Sequence, residues 1–245
     1  MKTVKTKKRS PDIRPDAGTS PEAGQIVVPL MLGEVIARLR DMIANGDLEP
    51  GRPIRERTLG RELGVSRTPL REAFRVLAGE GLIEIRPRLG ARVARLSARN
   101  ADHIFSVMEA LEALAGELAC KNMSDEDLAE LLALHKKLVA SYRARQRDRF
   151  FTVNQRLHER LIEAAQNPVL SRIYAGLDGQ MRRARYMALN TPAQWKDAVL
   201  EHEVIMKALQ ARDGARVAAL LRGHLHAKLL KVKALLAEQE ARPLS

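Results

Sequence analysis

A single short stretch of period two interrupts a chain otherwise patterned for helices. Leu82, Ile83, Glu84 and Ile85 come first, the turn Arg86-Pro87-Arg88-Leu89-Gly90 follows, and Ala91, Arg92, Val93, Ala94 and Arg95 take up the alternation again. Two such runs around a turn containing Pro and Gly predict a hairpin with a basic tip. Aromatics make up 3% of the 245 residues while Leu and Ala are abundant, a composition that favours packed helices over a larger sheet. The expected fold class is mostly α. Three helices plus a two-stranded wing form a winged helix-turn-helix, joined to an all-α antiparallel bundle of about six helices.

The helices ahead of the hairpin can be placed individually. Leu32, Val35, Ile36, Leu39 and Ile43 fall at helical spacing, and Asn45-Gly46 is a stop signal. A short second helix is expected over Arg57 to Leu63, with Gly64-Val65 as a tight connection to the run GVSRTPLREAFRVLAGEGL. With Ser66 as N-cap, Arg67, Thr68 and Pro69 occupy a first turn whose N–H groups are free and where proline is tolerated. Leu70, Phe74 and Leu77 then form an inward stripe, and Arg67, Arg71 and Arg75 line another face. A helix start bearing Ser, Arg and Thr suits phosphates and base edges in a major groove. The same arginine spacing also describes an ordinary solvated face.

A net charge of +12 points to a polyanionic partner, nucleic acid before membrane. Residues 26–99 contain no lysine, and arginine is the residue suited to bidentate phosphate and base contacts. The longest mainly apolar run, Ile26 to Leu32, is too short to span a bilayer and contains Pro29. The leader, residues 1–25, is basic, rich in Pro, Ser and Gly, and without the apolar core of a secretory signal, which predicts a disordered tail. Cys120 is the single cysteine and sits in an apolar helical pattern, which predicts a buried thiol in a reducing cytoplasm. The winged domain is expected over residues 26–96, a linker over 97–100 with Asn100 capping the next helix, and the bundle over 101–240. Within the bundle, Ser124 with Asp127, Asn167-Pro168, Thr191-Pro192 and Asp213-Gly214 mark helix starts.

Three histidines of the bundle lie on apolar stripes. Asn154 and His158, four apart, share the face flanked by Leu157 and Leu161; His202 sits among Val199, Ile205, Met206 and Leu209; His224 sits among Val217, Leu220 and Leu221. Each alone reads as a hydrogen-bonded core histidine. Together, on three helices, they can converge on one divalent metal, which would satisfy them jointly. His226 points away from His224, and His103 and His135 lie outside the pattern.

The run EPGRPIRERTLGRELGVSRTPLREAFRVLAGEGLIEIRPRLGARV, Glu49 to Val93, resembles the DNA-binding domain of GntR-family bacterial transcription regulators. The resemblance is carried by PG, by LG-x-x-LGVSRTP-x-REA, by GL and by the G-x-x-V of the wing. It implies DNA contacts from Arg57, Ser66, Arg67, Thr68, Arg71 and Gly90. NQRLHERLIEAAQNPVL, EHEVIMKAL and LLRGHL resemble the FCD ligand-binding domain of the FadR subfamily. That resemblance implies a divalent metal, zinc or nickel, at Asn154, His158, His202 and His224, with a small carboxylate effector over it.

Two positions depart from the family pattern. Asn154 stands where the family usually has Asp, and Met108, in VMEALEAL, stands where an arginine usually grips the effector carboxylate. A neutral amide leaves the metal its full charge, so an anionic effector could bind it directly without that arginine. A more apolar effector against Met108, or a metal-free site, are the other readings.

The chain is thus expected to be a homodimeric, ligand-responsive regulator, a repressor reading a short palindrome in double-stranded DNA in the cytoplasm. An enzyme is not expected, because the paired Glu and Glu-x-x-His motifs of di-iron bundles are absent and no carboxylate is placed as a general base. A metal-dependent enzyme of the bundle type and an unregulated architectural DNA binder remain as competing readings.

Overall fold

The computed structural model describes residues 27–241. The basic leader expected over residues 1–25 lies outside them. The first unit contains α1 (Val27–Asn45), α2 (Glu56–Leu63), α3 (Arg67–Gly79) and a hairpin of β1 (Ile83–Arg86) and β2 (Gly90–Val93). The second contains α4 (Ala98–Asn122), α5 (Asp125–Arg143), α6 (Arg147–Ala164), α7 (Pro168–Ala188), α8 (Pro192–Gln210) and α9 (Gly214–Ala241). The order matches a winged helix-turn-helix followed by six bundle helices.

The first unit closes around one apolar cluster. Val35, Leu39 and Ile43 from α1 meet Leu70, Phe74 and Leu77 from α3, with Leu59 from α2 and Leu82, Ile83 and Val93 from the hairpin. The predicted stripe on α3 is therefore its buried face. Strand register pairs Ile83 with Val93 and Arg86 with Gly90 in antiparallel fashion. The segment before α2 covers the free edge of β2, with Gly51 N–H donating to Val93 O at 2.8 Å and Ile54 N–H to Ala91 O at 2.8 Å. The turn between α2 and α3 depends on Gly64, which caps α2 at φ 68°, a left-handed conformation that a Cβ disfavours.

The bundle helices start largely where local chemistry sets them. Ser124 with Asp127 and Thr191 with Gln194 form reciprocal capping boxes, and Asn167 Oδ1 accepts from the N–H groups of Val169 and Leu170. One start differs from expectation. Ser97, not Asn100, is the N-cap of α4, and its hydroxyl accepts from Asn100 N–H at 3.1 Å. Residues 98–100 are thus helical, and the connection between β2 and α4 is Ala94 to Ser97. Asn100 reads as a cap by residue type, but Ser97 three residues earlier does the same work and lengthens the helix. Cys120 is buried, as its pattern predicts.

Gly64→Ala should cost about 1–2 kcal/mol in chemical denaturation, with Gly64→Asn milder because Asn tolerates the left-handed region better. Equal stability of the Ala variant would show that the turn does not need this conformation.

Candidate DNA-reading face and buried histidine site

The N-terminal turn of α3 is presented to solvent. Ser66 occupies the N-cap position with extended backbone, its hydroxyl making no bond to the helix, and Arg67, Thr68 and Arg71 are exposed beside it. Arg57 is exposed on α2, and Gly90 is exposed where the turn at the tip of the wing enters β2, with φ 81°. A groove of about 450 Å³ between α3 and the wing is lined by Arg71, Arg75, Arg86, Arg88, Gly90 and one acid, Glu56. Arg71 Nε donates to Glu56 Oε2 at 3.0 Å. All six residues implied by the resemblance are exposed, and Arg71 and Gly90 share the basic groove, where arginine forks beside a helix N-terminus can meet a polyanion.

The histidines come together inside the bundle. His158 on α6, His202 on α8 and His224 on α9 are buried, with ring centroids 5.2 Å, 5.3 Å and 4.7 Å apart in the three pairings. One nitrogen from each lies within 4.8 Å of the others. Asn154, one turn before His158, is buried in the same helix. Five polar atoms in this group are buried without a hydrogen-bond partner: Asn154 Oδ1, His158 Nε2, both nitrogens of His202 and His224 Nδ1. A buried polar atom without a partner costs about 1–3 kcal/mol, so such a group calls for a shared electron-pair acceptor. Three imidazoles and an amide oxygen are a donor set suited to a divalent transition metal, and the residues fit one.

Burial pushes the His158 and His202 imidazoles well below their ordinary value, assisted for His158 by the charge of Arg185 and for His202 by the other histidines and Lys228. Burial also lowers His224, against an opposing pull from Glu201. The neutral imidazole, the form that ligates metals, is thereby favoured. His158 Nδ1–H donates to Glu112 Oε2 at 3.1 Å, which orients the ring and leaves Nε2 free. His224 Nδ1 lies 2.7 Å from Glu201 Oε2, close but without hydrogen-bond alignment. Lys228 Nζ donates to that same oxygen at 2.7 Å.

The structure adds residues that the sequence pattern did not single out. Glu112 on α4 accepts from Arg185 on α7, and Arg185 also donates to Gln155 Oε1 and Tyr174 Oη, each at 3.0 Å. Both ends of this ion pair are buried. A signal was present. Glu112 is four residues past Met108 on the buried face of α4, and Arg185 four past Met181 on the buried face of α7. The run Met181-Arg182-Arg183-Ala184-Arg185 hides the inward arginine among its neighbours. Met108 is completely buried in the apolar cluster with Phe105, Tyr174 and Met181. His226 is exposed, as its offset from His224 requires.

The outward side of α7 grips the first unit. Gln180 Nε2 donates to Glu80 O, at the C-cap of α3, at 2.7 Å, and Arg182 pairs with Asp41 of α1 at 2.6 Å. Arg183 is buried and donates to Ala94 O in the connection at 2.5 Å. Burial pulls its guanidinium down to about 10, which leaves it charged at neutral pH.

Comparison with known proteins gives a consistent outcome. Residues 32–93 match the model of bacterial regulatory proteins of the gntR family, and residues 103–227 match that of the FCD domain. A probable D-xylose utilization operon transcriptional repressor of Paenarthrobacter nicotinovorans is 32% identical, over 80% of this chain and 87% of its own. The HTH-type transcriptional repressor RspR of Escherichia coli is 30% identical, over 76% of this chain and 82% of its own. Among solved structures, E. coli McbR/YncC superposes with a TM-score of 0.73 at 24% identity, covering 86% of this chain and 98% of that one, a likeness of fold.

The lowered imidazoles give a pH expectation for metal-free protein. Above about pH 6.5 the histidines are neutral in both folded and unfolded states and contribute no pH dependence. Below it the unfolded chain binds protons that the buried rings refuse, so stability falls with pH. The Tm of chelator-treated protein should drop between pH 7 and 5, and His202→Gln should flatten that slope. Identical slopes would mean that His202 titrates as freely folded as unfolded.

Proposed function

The chain belongs to the GntR family of bacterial regulatory proteins and carries an FCD domain behind its DNA-binding unit, and we propose that it is a repressor released by a small carboxylate effector. It is a transcription regulator and not an enzyme, as are the relatives it matches. Arg57, Ser66, Arg67, Thr68, Arg71 and Gly90 contact operator DNA. Two copies related by a twofold read a short palindrome, each placing α3 in a major groove. The regulator acts in the cytoplasm, where its operator is. No helix among the described residues is long and apolar enough to cross a membrane.

One observation carries the ligand-responsive part. Helix α7 has Arg185 and Tyr174 in the polar network around His158, and Gln180, Arg182 and Arg183 on the DNA-binding unit. A change at the buried site that favours another setting of α7 would act on the C-cap of the recognition helix. A ligand shifts such an equilibrium only by binding the two settings differently. Zinc or nickel would be held by Asn154, His158, His202 and His224, and would supply a Lewis-acidic, positive seat for a carboxylate oxygen. With Asn154 neutral, the ligand set brings no negative charge of its own, which favours an anionic effector. Met108, buried on α4 four residues before Glu112, would offer an apolar side chain to that effector.

Arg67→Ala and Arg71→Ala should each weaken binding to a selected operator by about 1–3 kcal/mol relative to random DNA with the fold intact by circular dichroism. Undiminished discrimination in both would remove α3 as the reader. Protein purified without a chelator or His tag should carry close to one equivalent of zinc or nickel, lost in His202→Ala. Metal content unchanged in that variant would remove the histidine site.

A further inference from the structure

Arg185 is completely buried, yet its bonds leave part of the guanidinium unused. Nη1 donates to Gln155 Oε1, Nη2 donates to Glu112 Oε1 and Tyr174 Oη, and Nε–H is buried without a partner. Glu112 divides itself, placing one oxygen on Arg185 and the other 3.1 Å from His158 Nδ1. The planar fork that can grip a carboxylate through two parallel N–H bonds therefore has only a one-oxygen partner. Asp178 Oδ1 stands 3.9 Å from Nη1 and is itself taken by Gln155 Nε2 at 2.7 Å. Buried ion pairs of this kind rarely make a fold more stable than apolar packing would, so stability alone is a poor reason for the arrangement.

We propose that Arg185 is the seat for an anionic group of the effector, and that the Glu112 carboxylate occupies that seat in the ligand-free protein. This inference rests on the ligand-responsive reading above and names the residue in this chain that recognises the ligand's charge. A ligand carboxylate that takes Arg185 in bidentate fashion displaces Glu112 from Nη2 and gains Nε–H, a donor that Glu112 leaves idle. Glu112 keeps its second bond, to His158, so the exchange need not disturb the histidine site. Arg185 lies two residues beyond Arg183, which is bonded to Ala94 in the connection to the wing. Exchange at the seat is therefore felt on the helix that grips the DNA-binding unit.

The test uses acetate as probe on the full-length, zinc-loaded protein, followed by calorimetric titration and by the acetate-dependent rise in Tm against chloride at equal ionic strength. Glu112→Gln keeps the shape and an oxygen for His158 while removing the competing charge. It should bind acetate at least tenfold more tightly than wild type, and adding Arg185→Gln should abolish the gain. No gain in a folded Glu112→Gln protein, or a gain that survives Arg185→Gln, overturns the seat. Should Glu112→Gln fail to fold, Arg185→Lys in the wild-type background keeps the charge and loses the fork. It should lose the acetate-dependent rise in Tm at unchanged zinc content, and a retained rise, or none in wild type, overturns the seat. Stoichiometric zinc without the acetate gain refutes the seat and leaves the metal site standing. An acetate gain in protein that binds no zinc refutes the metal site and leaves the seat standing.

Discussion

A carboxylate in the middle of a helical bundle is tenable only if its charge is answered at once, and the arrangement of this domain follows from how Glu112 is answered. Removing one partner of such a buried pair typically costs about 3–5 kcal/mol, so the partners must stay in register with one another. Glu112 on α4 accepts from His158 on α6 and Arg185 on α7, with Tyr174 Oη donating to it at 3.3 Å. Three helices are thereby fixed relative to a single side chain. His158 is in turn fixed relative to His202 and His224, which bring in α8 and α9. The orphaned imidazole nitrogens are the price of that convergence, and they are the atoms a metal would answer.

The same logic extends outward through α7. Its inward positions are tied to the buried network, and its outward positions to Glu80, Asp41 and Ala94 of the DNA-binding unit. Glu80 is held from a second side, by Arg40 Nε at 2.9 Å and Nη2 at 2.5 Å. The C-terminal end of α3, opposite its exposed first turn, is therefore gripped by both α1 and α7. A stiff helix with polar attachments on two faces transmits a change in setting more directly than an apolar contact, because hydrogen bonds have direction and hydrophobic contacts do not.

Much of the fold was legible because local signals and global packing agree. The period-two run became the hairpin, the stripe of Leu70, Phe74 and Leu77 became the buried face of α3, and Ser124, Asn167 and Thr191 cap the helices they were expected to cap. The start of α4 was misplaced by three residues because Ser97 and Asn100 are both good caps and only the backbone path from β2 chooses between them. The histidines were legible as inward residues because each lies on an apolar stripe. Glu112 and Arg185 were not, since a charged residue on a helix is normally solvated, and only the facing helix reveals that it is paired.

The sequence by itself determined which segments are helices, where the one hairpin falls, which faces turn inward, and, through GVSRTPLREA and its surroundings, that the chain reads DNA. These are properties of periodicity and capping, set within about a turn of each residue. Tertiary structure alone decided that Glu112, His158 and Arg185 meet, that His202 and His224 close on His158, and that one helix carries both the buried charge and the grip on the recognition helix. Those facts depend on the relative rotation of helices far apart in the chain. That rotation is fixed by packing and by the requirement that every buried charge find its partner.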